Sequence, residues 1–401
     1  MLERVMIIAG ESSGELYGAL LARELKKRNS EVSITGMGGE KMSAAGVELI
    51  TGITASFGLT EALKTLSETK KTFHKILSAI KTLRPQVLVL IDYPDFNMRL
   101  AEAVKGQGAA VLYYVSPQVW AWRGKRINVL KRVVDKMALI LPFEEKLYND
   151  AGVECEFVGH PIMDEISDAL SASGFVFSQT GSPEVKKAFR ERLKLDPAKP
   201  TMVLMPGSRR HEILKLMPVI IDSMKDARMK DRGFQFVIPV APNLNTTVRA
   251  EMLGMLSSVS DAPPQVVENS IEALLAADAA IIASGTSTLQ AAVLGVPMVV
   301  MYKLSALSYF VGRLVVKVKH ISLANVLLDF TQKSGPRITE LLQSDACSER
   351  VSAEICRMLD DKTYSDGLSA QFKFIAGHFT GRNASARVAA MVEELGGMAG
   401  V

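Results

Sequence analysis

"RVMIIAGESSGELYGALLARELKKR", Arg4–Arg28, decides how the chain folds. An apolar run of strand length ends at Gly10, and a helical pattern follows from Glu15. Between them lie Ser12, Ser13 and Gly14, small residues suited to a tight turn. A strand feeding a helix through such a turn is the building unit of a parallel α/β sheet. The unit recurs: "QVLVLID" (86–92) precedes "FNMRLAEAVKGQG" (96–108), and "AVLYYV" (110–115) and "MALILP" (137–142) complete a first half. After "EFVGHPIMDEI" (156–166) the rhythm lapses, and the Ser- and Gly-rich residues 168–185 read as a linker or long loop. It restarts with "TMVLMPG" (201–207), "FQFVIPV" (234–240), "PQVVEN" (264–269), "AAIIASG" (279–285) and "PMVVMY" (297–302). Two α/β domains are expected, over 1–167 and 186–370. Helices over 371–401 are expected to pack back on the first domain or on a partner subunit.

With 401 residues the chain is long enough for two cores. Hydrophobic residues are 48% and charged residues 22%, the composition of a folded globular protein rather than a disordered one. A formal charge of +4 is too small for a nucleic-acid surface and suits a small anionic substrate or an anionic lipid surface. Cys155, Cys347 and Cys356 lack metal-ligand or CxxC spacing and read as reduced thiols of a cytosolic protein. "MLERVMIIAG" runs into a strand without the features of a signal peptide, and no apolar run reaches spanning length. Membrane contact is therefore expected to be peripheral.

Ligands of parallel sheets bind outside the carboxyl ends of the strands, so four turns carry the functional reading. In "AGESSGELYG", Ser12 and Gly14 admit a close ligand or simply cap a helix. In "LIDYPDFNMRL", Asp95 follows Pro94 as a candidate N-cap, while Asp92 ends its strand as either a general base or a loop brace. In "VLMPGSRRHEI", Ser208 and Arg209 stand at a helix start, where a guanidinium fork fits a diphosphate. In "IIASGTSTLQAAVLG", Gly285, Thr286 and Ser287 offer converging donors, with Gln290 one helical turn further in, within reach of a ribose. No Walker A pattern is present. Cations and helix dipoles take the part that Mg²⁺ plays elsewhere, and no cofactor or metal is called for.

The chain's two tryptophans, Trp120 and Trp122, lie in "YYVSPQVWAWRGKRI" (113–127) beside Arg123, Lys125 and Arg126. An indole joins an apolar face to an N–H donor and suits an acylated sugar. The competing reading is a core Trp with solvated cations. Two further segments are amphipathic. "FGLTEALKTLSETKKTFHKILSAIKTL" (57–83) carries Leu59, Leu63, Leu66, Phe73, Ile76, Leu77 and Ile80 near helical spacing, and "LSALSYFVGRLVVKVKHISL" (304–323) carries Arg313, Lys317 and Lys319. Each lies either against its own domain or on a membrane surface. The five histidines show no metal spacing.

"AGE.SG", "IDYPDFN", "YYVSPQVWAWRGKRI", "PFEEKLY", "FVGHP", "PGSR..EI" and "SGTSTL", in this order, resemble the lipid-A-disaccharide synthase family over nearly the whole chain. The resemblance implies a GT-B architecture: two Rossmann-like domains whose parallel sheets face a central cleft, acceptor on the first and UDP-sugar on the second. It implies inverting transfer from UDP-2,3-diacylglucosamine to 2,3-diacylglucosamine 1-phosphate, giving the β-1,6-linked disaccharide 1-phosphate and UDP. Asp92 matches the family's general base and Arg209 its diphosphate-binding arginine. Asn325, in "SLANVL", matches a donor-site asparagine. Gly285 and Thr286 supply further donors. Ser12, Gly14, Glu15, Asp95, Asn97, Trp120, Trp122 and Arg123 fall on the acceptor side. A cytoplasmic location on the inner-membrane face, contact with anionic lipids, and a homodimer follow from the same likeness. The chain departs from the family pattern at Gln290, usually Glu, at Glu15, usually Asp, and at Ala324, usually Pro. Competing readings are a UDP-N-acetylglucosamine 2-epimerase-like enzyme and a non-catalytic UDP-sugar or lipid binder.

Overall fold

The computed structural model describes residues 2–53, 62–240, 244–257, 259, 263–305 and 318–398. The chain divides into two compact units, Met1–Asp164 with Gly381–Val401, and Glu165–Thr380.

The first unit is built on a seven-stranded sheet. Its strands are β1 (Arg4–Ala9), β2 (Ser33–Met37), β3 (Glu48–Thr51), β4 (Val87–Ile91), β5 (Ala110–Tyr114), β6 (Lys136–Leu139) and β7 (Cys155–Phe157), in the order β3-β2-β1-β4-β5-β6-β7. Every neighbouring pair is parallel. Val5–Ala9 and all of β4 are buried, because helices cover both faces of a parallel sheet. This explains why those strands read as continuous apolar runs rather than alternating ones.

The second unit repeats the plan with six strands: β8 (Thr201–Met205), β9 (Gln235–Pro239), β10 (Gln265–Val267), β11 (Ala279–Ala283), β12 (Met298–Tyr302) and β13 (Glu340–Leu342). Their order is β10-β9-β8-β11-β12-β13, again all parallel. In each sheet the strand order reverses once, between β1 and β4 and between β8 and β11. Successive helices there leave to opposite faces and open a crevice at the strands' carboxyl ends.

The Ser- and Gly-rich stretch expected as a loop over 168–185 is helical at both ends and carries a 3₁₀ turn between them. A helix runs Ile162–Ser171, a short 3₁₀ turn covers Phe177–Gln179, and a second helix starts at Pro183. Ser182 caps that helix by accepting from Val185 N–H, with proline at the first helical position. Local capping signals thus outweigh a loop-like composition. Helix Lys362–Phe379 runs unbroken past 370.

Helix Ala384–Met398 belongs to the first unit. Val388, Ala389, Met391 and Val392 are buried, and the helix packs on Ser12–Arg28. Arg387 forms a two-pronged pair with Glu156, at 2.5 and 2.7 Å. The amphipathic helix Ala62–Leu83 likewise turns Ile76 and Ile80 into the core of its own unit, with Phe73 and Leu77 packed against it. Leu59 and the side chains of Leu63 and Leu66 lie outside the described residues, as do Arg313 and Lys317; Lys319 is exposed. No described helix is long and apolar enough to cross a membrane.

Candidate functional site

The four turns singled out in the sequence follow β1, β4, β8 and β11, the strands on either side of the two order reversals. In the first unit the turn after β4 is strained. Asp92 and Tyr93 both adopt left-handed backbone, φ +48° and +47°, without a glycine between them. Three neighbours hold Asp92 there. Its N–H donates to Tyr114 O at 3.0 Å. Its carbonyl accepts from Tyr113 Oη and from Asn97 Nδ2, both at 2.8 Å. The main chain is pinned while the carboxyl-bearing residue stays half-exposed at the strand end.

Asn97, expected on the acceptor side, is therefore a buried brace: it is 0% exposed and also donates to Ile91 O at 3.2 Å. Asp95 does not cap the helix Pro94–Val104, whose N-cap is Tyr93. Its exposed carboxylate instead pairs with Arg126 and with Arg123, the latter at 3.2 Å.

Tyr93 stacks on Phe96 with centroids 5.3 Å apart and lies over Gly10. A Cβ at 10 would enter the Tyr93 ring. Gly10→Ala is expected to lower stability by about 1–3 kcal/mol through overpacking, read by chemical denaturation. An unchanged midpoint would show that Tyr93 swings aside freely. Gly14 is buried against Ile91 and Ala9 with ordinary spacing. Ser12 is exposed. Glu15 is 5% exposed and accepts Lys41 N–H at 2.9 Å, tying the first helix to the loop around Gly39. Like Asn97, it serves the fold.

The two tryptophans divide their roles. Trp120 is tethered, its Nε1 donating to Glu144 Oε1 at 2.9 Å and its ring edge-on to Phe143. Trp122 is half-exposed, with the guanidinium of Arg123 4.4 Å and that of Arg126 5.6 Å from its ring centroid. It forms a cation–π platform beside Asp95. His160 is fully buried, and burial alone lowers its pKa to about 3, so it is neutral near pH 7.

In the second unit, Gly207 adopts φ +105° and admits the turn after β8. Ser208 and Arg209 N–H groups both donate to Glu212 Oε2, at 3.2 and 3.3 Å. Glu212 thus already supplies the anion at this helix N-terminus, and the Arg209 side chain, 60% exposed, leans toward it at 3.5 Å. These amides are therefore already occupied, while the guanidinium keeps exposed surface. Tyr302, at the end of β12, senses both charges: burial first, then Glu212, raises its pKa while Arg209 lowers it.

In the turn after β11, Ser284 Oγ donates to Ile321 O at 2.8 Å and Thr288 Oγ1 to Gly285 O at 2.8 Å. Gly285 and Thr286 are exposed and Ser287 is half-exposed; nothing lies within 4 Å of a Cβ added at Gly285. A ligand can reach this main chain closely. Gln290 lies almost wholly buried on the helix Thr286–Val293.

Asn325, expected at the donor site, is 0% exposed and fully used internally. Its amide donates to Ile338 O and Glu340 Oε1, each at 2.8 Å, and accepts from Ile338 N–H at 3.0 Å. Ser322 caps its helix, which puts Ala324 in the first turn, where a proline's missing N–H costs nothing. Glu144, Glu212, Glu340 and Tyr113 escaped the sequence reading. Glu144 stands in "PFEEKLY", Glu212 in "PGSR..EI" and Tyr113 in "YYVSPQVWAWRGKRI", whereas Glu340 had no signal. Among the described residues, no group of three His, Cys, Asp or Glu side chains is close enough to hold a metal.

A family model described as lipid-A-disaccharide synthetase matches residues 5–378. The lipid-A-disaccharide synthase of Geobacter sulfurreducens is 38% identical over 396 residues, 98% of this chain and 97% of its own length. That of Nitrosococcus oceani is 38% identical over 389 residues, 96% of this chain and 94% of its own. Among solved structures, UDP-GlcNAc 2-epimerase of Neisseria meningitidis bound to UDP-GlcNAc aligns with TM-score 0.65 at 12% identity, over 98% of this chain and 100% of that one. MurG of Acinetobacter baumannii aligns with TM-score 0.55 at 13% identity, over 98% and 99%. At such low identity these two likenesses establish the GT-B fold alone. The matching family model and the 38% identity carry further: the chain belongs to the lipid-A-disaccharide synthase family and is a glycosyltransferase of lipid A disaccharide synthesis.

Proposed function

We propose that the chain transfers 2,3-diacylglucosamine from its UDP derivative to the 6-hydroxyl of 2,3-diacylglucosamine 1-phosphate, inverting the donor's anomeric carbon. Asp92 takes the hydroxyl proton as that oxygen bonds to the donor C1. The C1–O bond to UDP breaks, and its electron pair leaves on the diphosphate. Arg209 and the main chain at Gly285 and Thr286 meet the departing charge, with Ser208, Ser287 and Gln290 lining the nucleotide's side. Preorganised donors aimed at developing charge are the largest catalytic lever such a site has. The observation that carries this reading is the pinned left-handed turn at Asp92, at the order reversal of the first sheet. Strain of about 1–3 kcal/mol persists only where the surroundings over-determine it.

Ser12, beside the same crevice, and Trp122, with Arg123, are assigned to the acceptor and its 1-phosphate. The half-exposed Trp122 ring under two guanidinium groups supports peripheral contact with anionic lipids, as a diacylated acceptor on the cytoplasmic face of the inner membrane requires. A homodimer rests on family likeness alone.

The test is to incubate purified protein with both substrates and follow UDP and disaccharide together. Their equimolar appearance, and no UDP release when acceptor is omitted, is expected. UDP released without acceptor, or a donor sugar altered at C2, would replace this reading with an epimerase.

A further inference from the structure

Glu144 opens the helix Glu144–Asp150 and is 1% exposed. Its Oε1 accepts from Ser116 Oγ at 2.5 Å and Trp120 Nε1 at 2.9 Å. Its Oε2 is buried without a hydrogen-bond partner among the described residues. One turn along the same helix, Tyr148 Oη donates to Pro117 O at 3.1 Å. The segment from Ser116 to Trp120 is thus clamped to this helix at three points.

Among the described residues, Asp92 from the end of β4 acts on Glu144, and Tyr148 from its own helix and Cys155 from β7 feel its charge. Burial pushes Glu144 up to about 7, hydrogen bonds from Ser116, Trp120 and the Leu141 backbone oppose the rise, and the charge on Asp92 adds to it. A carboxylate with one oxygen unpartnered in this dry surrounding is costly, so Glu144 resists ionising, and the charge on Asp92 adds to that resistance.

We propose that Glu144 is a positioning residue for the transfer reaction, clamping the tryptophan-bearing loop through Trp120 and Ser116, with its own ionisation opposed by its dry surroundings and by the charge on Asp92. The catalytic consequence rests on the reading of Asp92 as the base. With Glu144 protonated, Asp92 holds the charge that accepts the hydroxyl proton. As pH rises through the Glu144 transition, the new negative charge raises the proton affinity of Asp92 and strengthens it as a base. Coupling is reciprocal: removing the charge at 92 eases ionisation of Glu144.

Trp122→Phe leaves Trp120 as the one tryptophan, a fluorescent reporter hydrogen-bonded to the carboxyl in question. Its emission is expected to titrate once, with a midpoint near 7. Adding Asp92→Asn should lower that midpoint. Adding Glu144→Gln, which keeps an oxygen acceptor for both donors, should abolish the transition. In protein with both tryptophans, kcat should rise roughly 2–5-fold through the same pH range, and Glu144→Gln should flatten that rise. A transition that survives Glu144→Gln overturns the proposal. So does a midpoint unmoved by Asp92→Asn, a comparison that needs no substitution at 144. The titration uses no substrate: full turnover by Asp92→Asn would sink the base assignment, whereas an unmoved midpoint would sink the coupling alone.

Discussion

Asp92→Asn lowers kcat by roughly 10²–10⁴-fold, the usual contribution of a positioned general base, and leaves UDP affinity unchanged within a factor of about two. Asparagine is the informative replacement because of the backbone. Residue 92 sits at φ +48°, and asparagine tolerates the left-handed region far better than most residues. The hydrogen bonds from Asn97 and Tyr113 end on the residue 92 carbonyl, which the substitution keeps. The turn should survive while the proton acceptor is lost. Asp92→Ala should lose as much turnover but also melt earlier, by the cost of about 1–2 kcal/mol for an alanine held left-handed. Initial rates of disaccharide formation, calorimetric UDP binding and thermal melts of both variants separate these effects. If Asp92→Asn retains near-normal kcat, the residue is a loop brace, the other role its position allowed. If UDP affinity collapses as well, residue 92 acts on the donor and not on the acceptor hydroxyl.

The layout of the sheets was legible because their inner strands are buried on both faces. β1, β4, β8 and β11 read as continuous apolar runs, and each ends in the turn that matters. Three of the four edge strands were not legible; the fourth, β10, was, in "PQVVEN". β3, β7 and β13 have three or four residues, and β2 reads Ser-Ile-Thr-Gly-Met. Gly36 in β2 looks like a strand breaker, yet a Cβ there would strike the Ile7 main chain of the adjacent strand. Pairing with β1 demands the glycine, and pairing is not written locally.

The site shows the same division. Polar residues beside a turn announce that something must be hydrogen-bonded, but not whether the partner is a ligand or the protein's own backbone. Asn97, Glu15 and Asn325 read as ligand contacts, and each is buried: the Asn97 amide donates to main chain, Glu15 accepts from main chain, and Asn325 bonds main chain and the half-buried Glu340. Asp92, Trp122, Arg209, Gly285 and Thr286 keep exposed surface at the strand ends. Burial, which is tertiary, separates the two groups.

Asn325→Leu tests that separation. The side chains are alike in volume, so packing changes little. Three hydrogen bonds vanish: Ile338 loses partners for both its N–H and its carbonyl, and Glu340 loses one of its donors. Glu340 keeps the Ile321 and Ser322 N–H groups at 2.9 and 3.0 Å and the Ser322 hydroxyl at 2.6 Å, so its charge is not stranded. Each unpaired buried group costs about 1–3 kcal/mol. The sum, about 3–5 kcal/mol, corresponds to a fall in Tm of roughly 10 °C for a unit of this size. UDP affinity should weaken only as far as the turn after β11 loosens. The link is Ile321, whose carbonyl holds Ser284 and whose N–H is held by Glu340. A residue that contacts the donor directly would behave oppositely, losing UDP affinity by one or two orders of magnitude at unchanged Tm. Paired melting and calorimetry decide between the two. A normal melting curve with lost UDP binding would return Asn325 to the donor and remove the buried-brace account of that loop.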